Sequence, residues 1–225
     1  MKKLLIVFGL LISSLSVQAQ LYIGGKGTVV LPSVIFSPTV STQIENTVGG
    51  QFAIKYLYND FSGLVLEAGY AEKGFTETSG GAELYRRQLD YFQLNALGDL
   101  HTHLGPLNAF LNIGVYAEFL LGETLDENET PITNTGVQLP PGLEAQAFDY
   151  ATRKANDFRF GIVGGGGLFF PTKIGAFQLE GRVYFGVTNT LERVVQQSAY
   201  ISNDLSFDIS VGYYIPIFDP EKRKK

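Results

Sequence analysis

The sequence predicts an all-β fold: an eight-stranded antiparallel up-and-down transmembrane β-barrel behind a cleaved signal peptide. Three observations carry that prediction. The first is the stretch Gly175 to Val187, GAFQLEGRVYFGV. Phe177, Leu179, Gly181, Val183, Phe185 and Val187 have no polar side chain, while Ala176, Gln178, Glu180, Arg182, Tyr184 and Gly186 are small, polar or charged. Successive strand residues point to opposite faces, so this strand has one apolar side and one polar side. Its length exceeds the usual five or six residues and suits a membrane crossing, which takes roughly 9–11. The second observation is that the pattern recurs along the chain. The third is that the predicted connections alternate between short and long.

The N-terminus reads as an export signal. Met1-Lys2-Lys3 is basic, Leu4 to Ile12 is apolar, and Val17 and Ala19 stand where small residues precede a signal-peptidase cut. Cleavage after Ala19 gives a signal peptide over 1–19 and a barrel domain over 20–225. The apolar run is too short to span as a helix. No later segment has the roughly 18 apolar residues a transmembrane helix needs.

The mature chain is large enough for one domain with a sizeable interior. Loss of Lys2 and Lys3 takes the formal net charge from −5 to −7. An acidic chain argues against a nucleic-acid partner. Absence of Cys excludes disulfides, thiolate metal sites and a Cys nucleophile.

Eight strands are predicted, at Leu21–Leu31, Val48–Tyr58, Gly63–Lys73, Arg87–Leu97, Leu107–Leu120, Asp157–Phe170, Ala176–Val187 and Leu205–Ile217. The second sets Phe52, Ile54, Tyr56 and Tyr58 against Gln51, Ala53 and Lys55. The fifth sets Leu111, Ile113, Val115 and Phe119 against Asn108, Asn112, Tyr116 and Glu118. The eighth sets Phe207, Ile209 and Val211 against Ser206, Asp208 and Ser210. In the fourth, Asp90 shares the parity of Phe92, Leu94 and Ala96, which places it near the membrane edge.

Short connections are predicted at Asn59–Ser62, Gly98–Pro106 and Pro171–Gly175. Long ones are predicted at Pro32–Thr47, Gly74–Arg86, Leu121–Asn156 and Thr188–Asp204. Outer-membrane barrels carry short periplasmic turns and long external loops, and an even strand number leaves both termini in the periplasm. A short helix could follow Pro140-Pro141-Gly142 within the longest loop.

Three stretches carry a resemblance: Glu67 to Phe75 (EAGYAEKGF), Tyr91 to Asn95 (YFQLN) and Gly181 to Asn189 (GRVYFGVTN). They resemble the PorT-like porin family of outer membrane β-barrel proteins. The family commonly has Glu and Pro where this chain has Gln93 and Asn95. The resemblance spans the mature chain and implies an eight-stranded outer-membrane barrel. It carries over no catalytic or ligand-binding residue. Some relatives support secretion to the cell surface. Ser210 to Ile217 also resembles the signal read by the barrel-assembly machinery, with Ile where aromatics are usual.

The polar faces supply the candidate site. Lys26, Lys55, Arg159 and Arg182 are expected inside the barrel with Glu67, Glu118, Glu180 and Asp208, four cations against four anions. Tyr116, Tyr184 and Tyr214 should join them. Lone charges in a narrow lumen are costly, so they should pair. Arg182 is expected to hold Glu118, Glu180 or Asp208. A structural network that fills the lumen outweighs an ion path.

The remaining motifs read as follows. Gly164 to Gly167 lacks the spacing of a phosphate loop, and its glycines should instead admit neighbouring aromatic rings or let the barrel bend. Asp99, His101 and His103 have alternate spacing that could hold a metal, but they read as a solvated periplasmic turn. Asp126 to Glu129 lacks the calcium-loop pattern. No cofactor and no metal are expected.

The expected function is a non-enzymatic outer-membrane barrel with a filled lumen. Its external loops would bind a partner or support the envelope or secretion. Its surroundings would be the lipid bilayer and the barrel-assembly machinery, together with an unidentified extracellular or envelope protein. A small-solute pore is the alternative. An outer-membrane hydrolase is disfavoured, because both His residues fall at the periplasmic side. A soluble lipocalin-like barrel would reverse the faces, and parity alone does not distinguish inside from outside.

Overall fold

Period-two alternation organises the whole chain. The computed structural model describes residues 20–37, 39, 41–79, 82–127, 153–192 and 201–218. The predicted signal peptide and the short helix expected after Pro140-Pro141-Gly142 lie outside these residues. Among the described residues nine strands form: β1 (Gln20–Ser37), β2 (Ser41–Gln43), β3 (Thr47–Leu57), β4 (Ser62–Ser79), β5 (Ala82–Leu104), β6 (Leu107–Glu127), β7 (Phe158–Pro171), β8 (Ala176–Asn189) and β9 (Ile201–Phe218). With β2 set aside, successive strands pair antiparallel from β1–β3 round to β8–β9, and β1 pairs antiparallel with β9. The ring therefore closes on eight strands, which abolishes free edges through its body. The three-residue β2 only extends the upper part of β4, through Ser41 opposite Thr78.

The faces are now assigned. Along β8, Gln178, Glu180, Arg182 and Tyr184 are buried, while Phe177, Leu179, Val183 and Phe185 are exposed. The same holds around the ring: Ile113 is 73% exposed, Leu111 66% and Val211 61%, whereas Glu118 and Tyr214 are 0% exposed. Polar side chains fill the interior and apolar ones cover the outside. This is the reverse of a water-soluble barrel and the pattern of one immersed in lipid.

An aromatic row marks where the lipid-facing band stops. Tyr70 lies opposite Phe92, Phe92 opposite Phe119, and Phe119 opposite Phe158, across β4 to β7. Such girdles sit at the membrane–water interface. Next along β5, Asp90 accepts a hydrogen bond from the Tyr70 hydroxyl (2.6 Å). Gln88 and the exposed Arg86 follow on the same face. A bulge between Asp90 and Tyr91 falls at this level.

The strands outrun the lipid here. β5 has 23 residues and β6 has 21, about twice a membrane crossing. Much of what was predicted as long connection is strand. Residues 74–79 continue β4, residues 82–86 belong to β5, and Leu121–Glu127 belongs to β6. Above the membrane a strand needs no apolar face, so the alternation that signals it fades.

The opposite end is trimmed to tight turns. Asn59 Oδ1 accepts from the backbone N–H groups of Phe61 (2.9 Å) and Ser62 (2.8 Å), a side-chain-capped turn. Thr172–Gly175 joins β7 to β8. The predicted turn Gly98–Pro106 shrinks to Gly105-Pro106, with Gly105 at φ 67°, a conformation glycine adopts without penalty. Asp99, His101 and His103 consequently sit on β5 rather than in a solvated turn.

Candidate functional site: the charged barrel interior

Strand closure brings the inward-facing charges together in three levels. All eight residues expected inside are buried, none more than 7% exposed. The structure adds Lys73, Asp99 and Asp204, each at most 2% exposed.

The level nearest the short turns centres on Lys55. Its ammonium lies 3.0 Å from Asp99 and donates to Gln178 Oε1 (3.2 Å). It also stands 4.5 Å from the ring centre of Phe110 and 4.9 Å from that of Phe169. Desolvated cations are attracted to such faces. Tyr22 and Tyr214 pack edge-on against Phe169, closing an aromatic layer.

The middle level couples four charges from β1, β4 and β8. Arg182 grips Glu67 with both terminal nitrogens (2.5 and 2.9 Å), and its Nε lies 2.8 Å from Glu180. Lys26 bridges the same two carboxylates, at 3.0 Å and 3.2 Å. Asn95 donates to Glu67 (2.9 Å) and Asn112 to Glu180 (2.5 Å). Gln51 and Gln93 link onward to Asn95. Bidentate, hydrogen-bonded pairs of this kind are the form in which buried charge is tolerated.

The upper level is built from β4, β6, β7 and β9. Lys73 lies 2.8 Å from Glu118 and 2.6 Å from Asp204. Arg159 donates to Glu118 (2.5 Å) and Thr190 (3.0 Å), with its guanidinium 4.0 Å from the Tyr91 ring centre. Tyr116 and Tyr184 stack edge to face, 5.2 Å apart, beneath Lys73.

Two expectations about pairing are corrected. The main partner of Arg182 is Glu67, with Glu180 second; Glu118 is taken by Arg159 and Lys73. Asp208 faces Arg182 in register, yet its Oδ1 has no hydrogen-bond partner among the described residues. With Arg87 and Glu77, which are also buried, the four-against-four count becomes, among the described residues, six cations (Lys26, Lys55, Lys73, Arg87, Arg159 and Arg182) against seven carboxylates, with Asp208 in excess.

The glycine run serves packing. A Cβ at Gly165 would meet the Arg182 side chain (2.7 Å) and the Gly181 carbonyl. One at Gly161 would meet the Tyr116 ring (2.6 Å). These glycines leave room for the middle and upper levels; none of Gly164 to Gly167 admits an aromatic ring, the nearest side chain at Gly165 being that of Arg182, and the one aromatic neighbour belongs to Gly161, ahead of the run.

This closed, lipid-faced ring with a charged interior agrees with comparison to known families. The model of the outer membrane protein beta-barrel domain matches residues 18–192. The chain belongs to that family. It is an outer-membrane β-barrel, and no curated protein sequence matches it. Among solved structures, the barrel is similar to Neisserial surface protein A, at 11% identity over 88% of this chain and 97% of that one, with a TM-score of 0.49. It is also similar to Ail of Yersinia pestis (10%, covering 88% and 98%, TM-score 0.41) and to outer membrane protein W of E. coli (12%, covering 88% and 98%, TM-score 0.42). Nothing about ligand or task passes from them to this chain.

Proposed function

We propose that this barrel is a non-enzymatic, non-conducting outer-membrane protein of PorT-like type. Its work would be done by the strands and loops that rise above the aromatic row. The three-level ion-pair stack is the observation that carries the reading. An eight-stranded barrel has an interior just wide enough for side chains to fill. Among the described residues that space holds six buried cations, seven buried carboxylates and buried Tyr91, Tyr116, Tyr184 and Tyr214. The ion pairs bridge β1, β3, β4, β5, β6, β7, β8 and β9, so opening a water path would break several at once.

In this reading the short turns and both termini face the periplasm. The β4–β5–β6 extension faces outward and meets an extracellular or envelope partner, or supports secretion. Residues 1–19 are removed on export, and the barrel-assembly machinery inserts the rest. No catalytic role is assigned. The chain has two His residues, and both lie at the short-turn end, away from the outer rim.

The test is solute permeation. Liposomes carrying the refolded mature barrel should swell in small sugars no faster than protein-free liposomes. Rapid swelling would favour the small-solute pore instead. Protease added to intact cells should cut between Leu121 and Asn156 and leave the His101–His103 segment intact. The opposite pattern would invert the orientation.

A further inference from the structure

Asp99, His101 and His103 are not absorbed by the closed-barrel reading. Their surroundings are informative. His101 and His103 are two apart on β5, so both imidazoles emerge on the inner face. Both line one pocket of about 400 Å³ at the short-turn mouth, together with Tyr22, Asp60 and Asn108.

Each ring is already oriented through one nitrogen. His101 Nε2 lies 2.6 Å from the Asp99 carboxylate, and His103 Nδ1 lies 2.7 Å from Asn108 Oδ1. With a proton on each of those nitrogens, the opposite nitrogen of each ring keeps its lone pair. His101 Nδ1 is buried and has no hydrogen-bond partner among the described residues, and its residue is only 4% exposed. A buried acceptor left without a donor is costly, and His101 is one of the residues that line the polar pocket.

We propose that this mouth binds a divalent transition metal through His101 Nδ1 and His103 Nε2. Metal-bound imidazoles characteristically donate their other N–H to a carboxylate or carbonyl, which is what Asp99 and Asn108 accept here. Neutral imidazole suits copper, nickel and zinc rather than magnesium or calcium. Among the described residues no three His, Asp or Glu side chains converge on one point. The two rings therefore act as a chelating pair, and water and the pocket's oxygens complete the shell. Lys55, 3.0 Å from Asp99, is a cation on the inner side of the site, and Asp99 stands between it and His101. A bound ion would tie the β5–β6 hairpin at the end opposite the projecting strands. The site does not depend on whether the barrel conducts.

The experiment uses the full mature protein, free of any affinity tag and refolded in micelles. Titration with Cu²⁺, the tightest-binding ion of the series, should saturate at one equivalent. Electron paramagnetic resonance should then show coupling to nitrogens of two imidazoles. His103→Gln lies at the exposed mouth and leaves the barrel intact; it should weaken binding by at least about tenfold and remove one nitrogen from the signal. Asn108→Ala should weaken it about tenfold through lost orientation of His103. Three results would overturn the proposal: no stoichiometric uptake, a signal without imidazole nitrogen, or unchanged affinity in His103→Gln.

Discussion

Replacing Arg182 with Ala tests the middle charge level directly. The guanidinium makes two hydrogen bonds to Glu67 and one close contact with Glu180, all with buried partners. Removal leaves two carboxylates facing Lys26 alone. Breaking a buried pair from one side costs about 3–5 kcal/mol, most of it the charge left behind. Asn95 and Asn112 still donate to those carboxylates, and water can enter the vacated volume. The loss should therefore fall near about 3 kcal/mol, or roughly 6–12 °C in Tm for a domain of this size. The chain has no Trp, so unfolding in micelles is best followed by far-ultraviolet circular dichroism. The double variant Glu67→Gln with Arg182→Ala should recover much of the loss, because it leaves one cation, Lys26, with one carboxylate, Glu180. A melting temperature unchanged in the single variant would refute the reasoning. So would a double variant as unstable as the sum of its parts.

Other outcomes follow from the same geometry. Asp208→Asn removes the surplus carboxylate and should raise stability by about 1–3 kcal/mol, read from the same melts; a clear loss would mean Asp208 has a partner. Gly165→Ala drives a methyl towards Arg182 and the Gly181 carbonyl and should cost about 1–3 kcal/mol, with a lower refolding yield. Ile113→Arg sets a cation on the lipid face and should cost about 2–4 kcal/mol in bilayers. A neutral result for Ile113→Arg in a bilayer would count against that face lying in lipid.

Much of the fold is legible because lipid imposes a strict rule on every crossing residue. Wherever a strand crosses, one face must be apolar, and period two reveals it; the starts of β3, β4, β6 and β8 lie within a residue of their expected positions. The rule lapses above the aromatic row. There β4, β5 and β6 continue with mixed residues, and Gly74 to Arg86 reads as a loop. The site shows the same division. Lys26, Glu118, Arg182 and Asp208 lie in mid-strand, where parity identifies them as inward. Lys73, Asp99 and Asp204 stand at or just beyond the expected strand ends, so parity could not assign them. Partner choice was hidden for a different reason. Glu67 and Arg182 are separated by 115 positions and meet through ring closure and stagger, which alternation does not encode. The buried state of His101 was lost with the turn. Only the tight Gly105-Pro106 connection leaves β5 long enough to carry that residue inside, and Gly105-Pro106 was the available signal.

Electrical recording addresses the closed interior most directly. On the proposed reading, in which ion pairs and tyrosines plug the lumen, purified mature barrel inserted into planar bilayers should give no stable conductance steps. Reproducible porin-sized steps in the wild-type protein would contradict the account, whatever the melting temperatures of its variants.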